Sequence, residues 1–159
     1  MDFAPTIRLA RRSDATVIAQ LSRDRIEQGL GWSWTPQRVL RSIEDADTNV
    51  ALAAAEGATL GFGIMKYHTE EAHLLLLAVR HDAERTGIGA ALLRWLEDAA
   101  RTAGVSRVQL EARAGNAGAR AFYRRFGYAE IEVVPGYYQG VEASVRLAKD
   151  LRLEQPASA

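Results

Sequence analysis

LLLLAVRHDAERTGIGAALL, residues 74–93, is the stretch around which this 159-residue chain is organised. Leu74 to Leu77 run through Ala78 into Val79 without a polar residue, the pattern of a short strand buried on both faces. A polar loop, Arg80 to Thr86, leads to Gly87-Ile88-Gly89, and from Ile88 the apolar residues recur at helical spacing. Glycine in a helix costs roughly 1 kcal/mol relative to alanine, so two in a first turn imply close backbone approach by a ligand. From Gly87 to Arg94 there is no aspartate or glutamate to complement the positive end of the helix dipole. The helix start is thus open to an external anion. The unit reads as strand, phosphate-binding turn, helix.

Outward from this unit, Thr6 to Leu9 reads as a strand, and Ser13-Asp14 offers an N-cap to a helix through Val17, Ile18, Leu21 and Ile26 that ends at Gly29. Thr35 and Pro36 open a second helix through Val39, Leu40 and Ile43. Val50 to Ala55 and Leu60 to Tyr67 form a hairpin across Glu56 to Thr59. The helix from Ile88 presents Ile88, Leu92, Trp95, Leu96 and Ala99 on one stripe and stops at Gly104. A strand over Val105 to Ala112, a short helix from Asn116 to Phe126, and strands over Tyr128 to Val134 and Val141 to Ala148 complete the chain. The expected fold class is α/β (α+β in some schemes): one mixed sheet with helices on both faces. A single domain spans 1–159, with its core at about 6–151 and a frayed tail.

Composition narrows the function. Basic and acidic residues balance at 20 each, so no global field recruits nucleic acid or an anionic membrane. There is no cysteine for a disulfide, a thiolate metal site or a covalent thioester. No apolar run approaches a membrane span and no leader pattern opens the chain, so a soluble cytoplasmic protein, monomer or homodimer, is expected. His68, His73 and His81 share no metal-ligand spacing, and no metal is expected.

Three phosphate sites compete for Gly87-Ile88-Gly89. A P-loop needs a lysine and a hydroxyl where Ala90 and Ala91 stand. A dinucleotide fingerprint could use Glu111 as its ribose acid, but Leu92 occupies the third glycine position and a seven-residue loop precedes the glycines. A structural turn with an unoccupied helix end is the plain alternative.

The third site comes from resemblance. Ala78-Val79 through Glu84-Arg85-Thr86-Gly87-Ile88-Gly89 to Leu92-Leu93 resembles motif A of the GNAT superfamily of acetyl-CoA-dependent N-acetyltransferases, Arg/Gln-x-x-Gly-x-Gly/Ala. Glu111-Ala112-Arg113, Asn116, Ala121-Phe122-Tyr123 and Phe126-Gly127-Tyr128 look like its second signature. Pro135-Gly136-Tyr137-Tyr138 with Val141 is similar to the C-terminal hairpin of the ribosomal-protein alanine N-acetyltransferases. One position departs: Glu84 stands where the family has arginine or glutamine, which implies weaker coenzyme binding unless Glu84 faces solvent or pairs with Arg80 or Arg85.

The resemblance implies a mostly antiparallel sheet with a splayed parallel pair at its centre. It implies acetyl-CoA as co-substrate. Pantetheine would lie along Leu77, Ala78 and Val79, the pyrophosphate over Arg85, Thr86, Gly87, Ile88, Gly89 and Ala90, and the Val79 N–H would polarise the thioester carbonyl. Acetyl transfer to an amine needs a base for the ammonium and an acid for the departing thiolate. By resemblance these are Glu111, acting directly or through water, and Tyr123, twelve residues apart. Asn116, Arg120 and Tyr123 at i, i+4 and i+7 share one helix face that could line the coenzyme's sulfur end. On the residues alone, Tyr123 beside Phe122 reads equally as a core aromatic, Glu111 as a solvated strand residue and Asn116 as an N-cap.

The acceptor stays open between a peptide or protein N-terminus, suggested by Tyr137-Tyr138, and a small cationic amine greeted by Trp32, Trp34, Asp24 and Glu27. A module that binds coenzyme without catalysis is a further alternative, with Glu84 as its hint.

Overall fold

β4 (Glu71–Val79) lies at the middle of a seven-stranded sheet with a core on each face. The computed structural model describes residues 5–27, 32–136 and 142–152. The other strands are β1 (Thr6–Leu9), β2 (Thr48–Ala55), β3 (Ala58–Tyr67), β5 (Arg107–Arg113), β6 (Ala129–Val134) and β7 (Ser144–Asp150). Their spatial order is β1-β2-β3-β4-β5-β7-β6. Every neighbouring pair is antiparallel except β4 and β5. Helices α1 (Ala15–Arg25) and α2 (Pro36–Glu44) precede β2, α3 (Ile88–Thr102) joins β4 to β5, and α4 (Ala117–Arg125) follows β5. The expected element order and mixed sheet are those of the structure.

The apolar run Leu74 to Val79 serves both cores through a bulge. Ile64 faces Leu76 across the β3–β4 ladder while Met65 faces Leu74, so Leu75 is the extra residue. An inserted residue reverses the alternation of faces beyond it. Ala72 and Leu74 therefore enter the core beneath α3, and Leu76 and Ala78 enter the core beneath α1 and α2.

The helices bury their expected stripes with local shifts. On α3 the buried apolar positions are Ile88, Leu92, Leu93, Leu96 and Ala100, while Trp95 and Ala99 sit at the edge of the stripe. Gly63 on β3 lets α3 approach: a Cβ there would lie 2.7 Å from Leu96 Cδ1. On α2, Thr35 Oγ1 accepts from Arg38 N at 3.3 Å and Pro36 opens the first turn, as expected.

α1 starts differently from the simple N-cap. Arg12–Asp14 form a 3-10 turn, and Asp14 Oδ2 accepts from Arg11 N at 2.7 Å and from Arg8 Nη1 at 2.9 Å. Ile18, Ala19 and Leu21 are buried, whereas Val17 faces outward. α1 ends at Arg25; the expected stop at Gly29 lies outside the described residues, as do Tyr137, Tyr138 and Val141 of the final turn.

Candidate active site

The parallel pairing of β4 with β5 lasts four residues, from Glu71–Arg107 to Leu74–Leu110. Beyond these the strands part. A cavity of about 350 Å³ opens between them, walled by Leu74 to Val79 on one side and Leu110 to Arg113 on the other. Past Leu74, β4 has lost its partner on this side, so alternate N–H and C=O groups from Leu75 to Val79 face the gap. An unpaired strand edge is a template for an extended ligand carrying its own amide groups.

The turn after β4 prepares an anion site at one end of this gap. Arg85 (φ 63°) and Gly87 (φ 86°) are left-handed, and Gly87 is the residue before the first turn of α3. The first helical bond, Ala91 N to Gly87 O at 3.0 Å, leaves the N–H groups of Ile88, Gly89 and Ala90 without intrahelical partners. No acidic residue stands in this turn of the helix. A Cβ on Gly89 would meet Phe122 Cζ and Val79 Cγ2 at 3.6 Å, ordinary contact, so internal packing does not demand a glycine there. The Thr86 hydroxyl donates to the Ala83 carbonyl and braces the loop.

Glu84 pairs with Arg25, at the end of α1, and not with Arg80 or Arg85. Arg80 is engaged by Asp82. His81 Nδ1 lies 3.3 Å from Arg25 Nη1. Arg25 and Ile26 form part of the cavity wall, and Arg113 Nη2, at the end of β5, donates to the Ile26 carbonyl at 3.0 Å. Neither contact has a signal in the sequence, since each joins positions more than fifty residues apart.

Glu111 and Tyr123 both line the cavity. Glu111 sits opposite Arg146 of β7, whose Nη2 donates to Glu111 Oε1 at 3.2 Å and whose Nη1 donates to Glu132 Oε2 at 2.7 Å. Tyr123 is buried, its ring edge-on to Phe122 at 5.2 Å and to Tyr128 at 5.7 Å. Burial pushes its hydroxyl pKa well above the usual tyrosine value, so the group holds its proton at neutral pH. Among the described residues that hydroxyl has no hydrogen-bond partner, yet no buried side-chain polar atom is left unsatisfied. Tyr123 is nonetheless one of the residues that line the cavity. Tyr128 is fixed from behind: its hydroxyl donates to Glu97 Oε2 at 2.7 Å, and Lys149 Nζ donates to Glu97 Oε1 at 3.0 Å. Glu97 is buried, and its place next to Leu96 on the apolar stripe of α3 was the available hint.

The face of α4 turned to the cavity is Asn116, Ala119 and Tyr123, spaced i, i+3 and i+7. Asn116 also caps α4, its Oδ1 accepting from Ala119 N at 3.0 Å. Arg120 turns to β6: Nε and Nη2 donate to Glu130 at 2.6 and 3.1 Å, and Nη1 donates to the Ala114 carbonyl at 2.7 Å. It braces the loop before the helix instead of lining the cavity.

Two residues expected near an acceptor are occupied elsewhere. Trp34 is buried beneath Arg38, 3.8 Å above its ring, in the core under α1 and α2. Glu27 is buried and accepts from Ser33 N at 2.7 Å, Ser33 Oγ at 2.6 Å, Trp34 N at 3.2 Å and Ser22 Oγ at 3.2 Å. Its carboxylate organises the approach to α2 and does not face an incoming amine. Trp32 remains partly exposed beside Arg23.

A profile of the acetyltransferase (GNAT) family matches residues 18–128. The chain is 37% identical over 118 residues to the ribosomal protein bS18-alanine N-acetyltransferase of Salmonella typhimurium, covering 72% of this chain and 79% of that one. It is 30% identical over 151 residues to an aminoglycoside N(6')-acetyltransferase of Stenotrophomonas maltophilia, covering 89% and 97%. Against an uncharacterised N-acetyltransferase of Methanocaldococcus jannaschii it is 32% identical over 99 residues; the match covers 62% of this chain and 64% of that relative's length. The crystal structure of the ribosomal-protein-S18-alanine N-acetyltransferase from Escherichia coli superposes with a TM-score of 0.82 at 26% identity, covering 98% of this chain and 99% of that one.

Proposed function

The chain belongs to the acetyltransferase (GNAT) family, and we propose that it moves the acetyl group of acetyl-CoA directly to the α-amine at the N-terminus of a peptide or protein. The observation that carries the reading is the gap between the parted ends of β4 and β5, with Glu111 and Tyr123 both on its wall.

The residues fit the coenzyme chemically. The open edge of β4 at Leu77, Ala78 and Val79 offers main-chain partners to pantetheine amides. Arg85, Thr86, Gly87, Ile88, Gly89 and Ala90 offer a turn of free N–H groups to a diphosphate. Asn116 and Tyr123 come from the opposite side, at the sulfur end; Arg120 supports them through Ala114 and Glu130. Acetyl-CoA supplies the activated acyl group. The protein's part is to hold it, to take a proton from the amine and to return one to sulfur.

In this reading Glu111 receives the ammonium proton, directly or through a water; the Arg146 hydrogen bond to its carboxylate supports a fixed orientation. As the C–S bond breaks, Tyr123 gives its proton to the thiolate, whose pKa of about 8.5, if like cysteine, favours leaving as thiol. The nitrogen's second proton, lost as the amide forms, restores the tyrosine through solvent. The Val79 N–H polarises the thioester carbonyl. With no cysteine in the chain, direct attack on acetyl-CoA is the more natural route than one through a cysteine-borne acyl intermediate.

For the acceptor, charge balance on the wall supports a single amine. On the wall Arg25 and Arg113 balance Glu84 and Glu111, and Arg146, behind it, pairs with Glu111. Such a wall is a poor trap for a polycation. Identity to the bS18-alanine enzyme supports the same reading. A second reading, a small-molecule amine such as an aminoglycoside, is favoured by the match over 89% of the chain to the aminoglycoside enzyme. Thiol release from acetyl-CoA, followed against peptides with free and blocked N-termini and against aminoglycosides, polyamines and amino acids, separates the two. Turnover on free N-termini alone is expected; turnover on aminoglycosides with none on peptides overturns the peptide assignment.

A further inference from the structure

The chain presents a carboxylate, Glu84, at the mouth of a turn otherwise built for an anion, and it brings a guanidinium to that carboxylate from the far end of α1. Both side chains line the cavity and both are partly exposed, at 30% for Arg25 and 41% for Glu84. A lone carboxylate there would repel a diphosphate. Paired with Arg25 it does not, and the guanidinium has capacity left. Of its five donors, Nη2 serves Glu84 and Nη1 faces His81, and a guanidinium fork suits phosphate oxygens.

We propose that Arg25 is a coenzyme-binding residue: carried in from α1 and held by Glu84, it supplies at the diphosphate the positive charge that position 84 itself does not. The assignment rests on the acetyl-CoA reading above. It also gives α1 a second task. Ile26, the next residue, receives Arg113 from the end of β5, two positions beyond Glu111. The end of α1 thus joins the diphosphate end of the gap to the wall that carries Glu111.

The test is calorimetric titration of CoA into the intact chain and into Arg25→Ala, Glu84→Gln and the double variant. Loss of one partly exposed cation facing a polyanion is expected to weaken CoA binding about tenfold in Arg25→Ala. Glu84→Gln, which frees the guanidinium, is expected to tighten it, and the double variant to return to within about threefold of the parent. The thermal shift produced by millimolar pantetheine, which lacks the diphosphate, is expected to be the same in all four. Unchanged CoA affinity in Arg25→Ala overturns the assignment, as does equal weakening by Arg25→Ala and Glu84→Gln, or loss of the pantetheine shift. A parent chain that takes no CoA overturns the coenzyme reading and this inference together; a parent that binds it with an indifferent Arg25→Ala overturns only the inference.

Discussion

The ring of Tyr123 stands edge-on to that of Tyr128, centroids 5.7 Å apart at 68°, and Tyr128 is in turn anchored through its hydroxyl to the buried carboxylate of Glu97. The residue proposed to deliver a proton therefore has a ring fixed by a neighbour that is itself pinned. Its own hydroxyl stays without a protein partner among the described residues, and the residue lines the cavity.

If Tyr123 is the acid, Tyr123→Phe keeps the ring packing and removes only the proton. Turnover is expected to fall by about 10²-fold with little change in CoA affinity. Steady-state kinetics with a working acceptor, alongside CoA titration, read the two quantities separately. Unaltered turnover ends the acid assignment.

The Glu97 network carries stability. Glu97→Ala withdraws an acceptor from both the Tyr128 hydroxyl and the Lys149 ammonium inside the core. Removing one partner of a buried ion pair costs about 3–5 kcal/mol. A denaturant midpoint close to that of the parent would contradict this. Tyr128→Phe, which leaves the Glu97–Lys149 pair in place, is expected to cost less.

Gly87 and Gly89 separate folding from binding. Gly87 has φ 86°, so Gly87→Ala is strained and is expected to cost about 1 kcal/mol or more in stability. Gly89 has room for a methyl at 3.6 Å from its neighbours, so Gly89→Ala is expected to melt no lower than the parent and to gain up to about 1 kcal/mol. The same methyl is added on the turn proposed to cradle the diphosphate, and CoA affinity is expected to drop. Melting curves with and without CoA test both halves, and a Gly89→Ala variant that binds CoA like the parent removes this turn from the coenzyme site.

Glu27 makes stability depend on acid pH. Burial raises its pKa, but the hydrogen bonds from Ser33, Trp34 and Ser22 outweigh that, and the net position is below the ordinary glutamate value of 4.5. A carboxyl with a depressed folded-state pKa contributes stability that is full above its unfolded value and is lost as pH falls through the folded one. Urea midpoints followed from pH 7 downward are expected to fall below about pH 4.5, with a shallower decline in Glu27→Gln. Parallel curves for the two chains would refute it.

Local signals determined the element plan and the position of the turn. The apolar run into Gly87-Ile88-Gly89, the Thr35-Pro36 helix start and the Asn116 cap depend on neighbours within a few residues, and periodicity and capping report such neighbours directly. The resemblance that named the family drew on the same kind of pattern, since ordered motifs survive without knowledge of packing. Tertiary structure decided what those patterns do not encode. The bulge at Leu75 distributes one apolar run between two cores, and the parting of β4 from β5 after Leu74 opens the gap. Arg120 sits on the expected stretch of helix but turns to Glu130, because a difference of one residue on α4 is a rotation of about 100°. Glu27, which reads as a group for an amine, is filled by backbone donors of its own loop. The partner of Glu84 arrives from Arg25, on an element that only folding brings alongside. Contacts between residues remote in sequence depend on the path of the whole chain, and no local window contains them.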